Sequence, residues 1–77
     1  GQASDEALEL YDFVTDEWKV LRNQCDTNGI SIEDKDRRAC EQAIALAGES
    51  LSSGRIEDCL NHLSEADASM ERLRRRI

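Results

Sequence analysis

Residues 4–29, SDEALELYDFVTDEWKVLRNQCDTNG, decide the fold. At 3.6 residues per turn, Ala7, Leu10, Tyr11, Val14, Trp18, Leu21 and Cys25 fall within about a third of a helix circumference, the width of a core-facing stripe. Ser4, with Asp5 and Glu6 behind it, supplies a cap oxygen and first-turn acids suited to the positive end of the helix dipole. Asn28-Gly29 supplies residues that tolerate positive φ, as a helix stop requires. The spacing predicts a first helix over 4–27, with Trp18 at the stripe centre and shielded from water.

Downstream, Ser31 and Asp34 form a capping-box variant with Asp in place of Glu or Gln. It opens a second helix over 32–53. Its buried face is Ile32, Ala39, Cys40, Ala43, Ala47, Ser50 and Leu51, with Ile44 and Leu46 widening it. So many small side chains let neighbouring helices approach closely. Ser52-Ser53-Gly54 ends this helix, and a third follows over 55–76 with Ile56, Cys59, Leu60, Leu63, Ala66, Met70, Leu73 and Ile77 on one face. Short turns leave consecutive helices side by side. The expected fold is all-α: one three-helix up-down-up antiparallel bundle spanning 1–77. No proline, four glycines and only nine Val, Ile and Thr residues argue against a sheet.

Residues 43–66 resemble one repeat of the tetratricopeptide kind. Leu46 and Ala47 stand where that family favours Leu and Gly, Gly54 at the inter-helix turn, Ile56 and Leu63 at aromatic positions, Cys59 at a small-residue position and Ala66 at an alanine position. The resemblance implies a tightly turned helical hairpin over about a third of the chain. Ala43 departs from it, standing where the family prefers a large aromatic, and a repeat array needs about three repeats. No binding residue carries over.

With 77 residues the chain builds one modest core. The net charge of −7 is carried entirely by residues 1–36, while residues 37–77 balance to zero. Nucleic-acid binding needs clustered cations, so this distribution disfavours it except at the C-terminal end. No apolar run is long enough to span a bilayer, and the start lacks the features of a signal peptide. Three cysteines at spacings of 15 and 19 cannot form a closed disulfide framework, which points to an intracellular, reducing, cytoplasmic home. The chain begins at Gly1 instead of Met and ends within a helical pattern, so a segment of a larger protein is expected, with Gly1 a remnant of tag removal.

Chemistry-bearing constellations are sparse. Cys25, Cys40, Cys59 and His62 could make a zinc set, but no close Cys-x-Cys spacing supports it and each cysteine falls on a core face, so no metal is expected. Asp26-Thr27-Asn28-Gly29 resembles the middle of a calcium loop, yet Gln24 and Lys35 occupy the positions that need an acid and a bidentate Glu. The single histidine lacks a nucleophile partner and no phosphate loop occurs, so neither catalysis nor a cofactor is expected.

Two surfaces remain. Arg72, Arg74, Arg75 and Arg76 suit the negative end of a helix dipole, and otherwise could contact nucleic acid or another anion. Phe13 and Val20 lie seven apart, roughly a third of a turn from the main stripe, among Glu9 and Glu17. They either widen the core or form an apolar strip rimmed by acids that receives a basic amphipathic segment. The expectation is a noncatalytic protein-protein interaction or assembly module, an adaptor or scaffold element. Its partner contacts are Glu6, Glu9, Phe13, Glu17 and Val20. The alternative is a component of a nucleoprotein machine that uses the arginine cluster.

Overall fold

The chain reverses direction twice, each time at a glycine in the left-handed region: Gly29 at φ 73° and Gly54 at φ 76°. The computed structural model describes residues 1–77, with three helices and no strand: α1 (Gln2–Thr27), α2 (Lys35–Ser52) and α3 (Ile56–Arg74). Both glycines close Schellman motifs. The Ile30 N–H donates to the Cys25 carbonyl at 2.9 Å and the Gly29 N–H to that of Asp26 at 3.2 Å; Arg55 to Ser50 (2.9 Å) and Gly54 to Leu51 (3.1 Å) repeat the pattern.

Helix starts differ from the sequence expectation. The Asp5 N–H donates to the Gly1 carbonyl, so α1 begins at Gln2 with Gly1 as its cap, and Ser4 lies inside the first turn. The capping box expected from Ser31 does not form; Asp34, read as its partner, is itself the cap of α2, its Oδ1 accepting from the N–H groups of Asp36 and Arg37. The Ser31 hydroxyl instead accepts from the Glu33 N–H within the turn. Ile32 therefore precedes α2, and at 71% exposure it contributes nothing to the core. α3 begins one residue later than expected, with Arg55 as cap, and its helical residues end at Arg74.

α2 and α3 pack most closely. Cys40, Ala43, Ala47 and Ser50 are buried on one, and Cys59, Ala66 and Ser69 on the other. The Cys40 Sγ lies 4.0 Å from the Ala66 carbonyl oxygen. α1 supplies the bulk, its Val14, Trp18, Leu21 and Cys25 joining Leu63, Met70 and Leu73 in one core cluster. Leu10, expected on that stripe, is largely exposed, and Tyr11 is half-buried. The pattern that resembles a tetratricopeptide repeat falls on this α2–α3 hairpin, where small residues at the crossing and glycine at the turn meet the needs of close approach.

Cross-helix contacts fix the topology. Trp18 Nε1 donates to Glu41 Oε1 at 2.9 Å, and Arg37 Nη1 to Asp26 Oδ1 at 2.7 Å, so α1 and α2 are antiparallel. Asp36 meets Arg72, and Cys40 meets Ala66, so α2 and α3 are antiparallel too. The starts of α1 and α3 thus share one pole with the end of α2. The 26 residues of α1 extend about 39 Å, close to the 41 Å long axis of the molecule. α2 and α3 are shorter by two turns.

Gly48, in the middle of α2, has no flexible role to play. A Cβ there would stand 2.8 Å from the Tyr11 hydroxyl oxygen and 3.3 Å from its ring carbons, so the aromatic ring lies directly on the glycine. With Tyr11 replaced by alanine, Gly48→Ala should stabilise the protein by about 0.5–1 kcal/mol, the ordinary helix-propensity gain. In the wild-type background the gain should vanish or reverse, because the ring must leave. Urea titration of the four proteins checks this; equal gains in both backgrounds would contradict the packing.

Candidate functional site

The outward face of α1 follows from the narrowness of the α2–α3 pair. Two helices brought close by small residues cover only part of α1, through Tyr11 and Trp18 on the α2 side and Glu17 on the α3 side. Phe13 and Val20 lie beyond that cover, each 61% exposed. Leu8 and Leu10 are exposed toward the start of the same helix. Of the two outcomes open to the Phe13 and Val20 stripe, the structure therefore shows the exposed one. Glu6 and Glu9 are exposed beside it, and neither joins an ion pair; Glu6 accepts only from the Gln2 side chain at 3.3 Å. Glu17 is bound to Arg74 at 3.3 Å.

The opposite pole holds Arg72, Arg74, Arg75 and Arg76, and each of these four meets a carboxylate. Arg76 binds Asp34 through both Nη atoms (2.9 and 2.7 Å) and reaches Asp36 at 3.0 Å. Arg72 donates to Asp36 at 3.0 Å and to the Ser69 hydroxyl at 3.0 Å. Arg75 lies 3.7 Å from Glu71. Behind this clasp Arg37 is buried, donating to Asp26 and, at 3.0 Å, to the Ile30 carbonyl, which ties the 28–34 turn to both helices it joins. Nothing in the local sequence pattern marks Asp34 and Asp36 as the partners of these arginines, or Arg37 as a buried one.

These contacts shift proton affinities. The Arg76 guanidinium, aided by the backbone N–H groups of Arg37 and Asp36, holds the Asp34 carboxyl down to about 2. Asp36 is lowered chiefly by Arg72, and Arg76 is raised in return by Asp34. All three cysteines are buried free thiols. Burial pushes Cys40 up to about 12, the Glu41 carboxylate adding to the effect, and raises Cys25 and Cys59.

His62 sits on the surface of α3 with Nδ1 2.7 Å from Glu65 Oε1. No three His, Cys, Asp or Glu side chains converge where they could hold a metal ion. An open depression of about 530 Å³ lies on the outer side of α2, lined by Ile32, Arg38, Glu41, Gln42 and Ala45. No helix is long and apolar enough to cross a membrane. No family model matches the chain, and no curated protein or solved structure matches it.

Because the folded-state affinity of Asp34 for its proton is depressed, its stabilisation is complete above about pH 4 and is lost as pH falls toward 2. Asp34→Asn keeps a cap oxygen but removes the charge. Its melting temperature should lie below that of the wild type at pH 7, with the gap closing between about pH 4 and 2. Thermal melts across that range test this, and a constant gap would show that the Arg76 pair contributes nothing.

Proposed function

We propose that this bundle is a noncatalytic protein-protein interaction or assembly module, an adaptor or scaffold element that binds its partner through α1 and the adjoining acidic pole. The exposure of Phe13 and Val20 beside unpaired Glu6 and Glu9 carries this reading. Apolar side chains rimmed by charge are the usual composition of a docking surface, and the acids select a basic amphipathic segment. The three free thiols support a reducing, intracellular, cytoplasmic setting. The arginine cluster supports an anion-binding role less well, because its guanidinium groups already face carboxylates of the same chain.

Rim charges chiefly accelerate encounter, whereas buried apolar anchors slow dissociation. Against a partner captured from cell extract, Glu6→Lys with Glu9→Lys should lower the association rate and its salt dependence. Phe13→Ala should raise the dissociation rate by about tenfold or more, as loss of a central aromatic anchor does. Surface plasmon resonance reads both. If both variants bind normally while Arg74→Gln with Arg75→Gln abolishes binding, the contact lies at the opposite pole and the proposal fails. A steep loss of affinity with salt and competition by nucleic acid would then favour the nucleoprotein role.

A further inference from the structure

We infer that the docking face is shared by two helices. Its occupant is a single basic amphipathic helix of another protein, lying antiparallel to α1 and α3 as the fourth member of the bundle. This rests on the proposed interaction role of α1 and adds the second wall, the form of the partner and its direction.

The second wall follows from which flank of each helix meets which neighbour. Tyr11, Trp18 and Arg22 mark the α1 flank against α2, through Gly48 and Glu41. Glu17 marks the other flank, where Arg74 of α3 reaches it at 3.3 Å. By helical periodicity Leu10, Phe13 and Val20 lie on the Glu17 side. On α3, Ser69 and Arg72 mark the flank against α2, and Leu60 shares the flank of Arg74. Leu60 is 39% and Leu10 40% exposed, values suited to side chains bordering one seam from either side. A helix seated there covers apolar groups of both walls at once, as the fourth helix of a four-helix bundle does.

Charge decides the occupant. Glu6, Glu9 and Glu57 stand unpaired at the starts of α1 and α3, where Arg55 is occupied by Asp58, while Arg74 and Arg75 lie toward the other end and are paired with Glu17 and Glu71. A second copy would set acid against acid in a chain of net charge −7. A partner helix with Lys or Arg in its final turns gains most when its C-terminus lies at the acidic pole. That end of a helix favours cations, and the direction is antiparallel to both walls.

Two synthetic helical peptides of identical composition test this. Both carry leucines along one face; one has its lysines in the C-terminal half, the other in the N-terminal half. Fluorescence anisotropy at low salt should show the first binding about tenfold tighter, the effect of two or three rim ion pairs acting together. Phe13→Asp and Leu60→Asp should each weaken it at least tenfold, whereas Leu46→Asp, on the far side of the hairpin, should not; all three sites are exposed, and circular dichroism confirms folding. If Leu60→Asp behaves like Leu46→Asp while Phe13→Asp still abolishes binding, the two-helix face is overturned and the role of α1 stands. Equal or reversed peptide preference overturns the direction. Binding of neither peptide overturns the helical occupant, and a dimer of the protein alone that Phe13→Asp dissolves identifies the occupant as a second copy instead.

Discussion

Between α2 and α3 the chain places alanine, serine and cysteine where larger side chains would hold two helices apart. Ala43, Ala47 and Ser50 face a helix whose own contact residues include Cys59, Ala66 and Ser69, so the pair forms a thin plate with little volume of its own. The large residues of such a plate, Leu63, Met70 and Leu73 of α3, need a cover, and α1 provides it with Val14, Trp18 and Leu21. The division of labour has a geometric result. A thin plate covers a narrow arc of the helix laid on it, and the apolar residues of α1 outside that arc remain in water.

Charge is distributed by a similar economy of space. At the pole where the 28–34 turn meets the end of α3, Asp34 both caps α2 and binds Arg76, while Asp36 receives Arg72 and Arg76. Four functions, helix cap, turn anchor, helix-dipole partner and inter-helix tie, fall to a few adjacent side chains. The free acids therefore accumulate at the other pole, where Arg55 pairs with Asp58 and leaves Glu6, Glu9 and Glu57 unpaired.

How far the fold can be read from the chain depends on the kind of interaction concerned. The three helices are legible because their apolar residues recur at helical spacing, and Gly29 and Gly54 mark the turns. The start of α2 reads three residues too early, at a Ser31 cap, because Asp34 looks like the third residue of a capping box; an arginine from the chain end fixes Asp34 as the cap instead. That partner lies 42 residues away, and nothing in local pattern links the two. Gly48 reads locally as a mere weakness in a helix, since the Tyr11 ring that requires it belongs to another element. The exposure of Phe13 and Val20 was equally undecidable: periodicity tells which residues share a face, not how many neighbours cover it.

The ties that hold α1 to α2 differ in kind along its length. Near the start there is the resting of Tyr11 on Gly48; in the middle, the hydrogen bond from Trp18 to Glu41; toward the end, the charge-assisted bond between Asp26 and buried Arg37. Contact through dispersion alone yields before a bond that must leave a buried guanidinium unsatisfied. α1 therefore behaves like the cover of a book bound at its C-terminal edge. Its brief excursions lift the acidic end first, and slow amide exchange should be concentrated near the spine, around Leu21 and Cys25, where lifting requires the whole molecule to unfold.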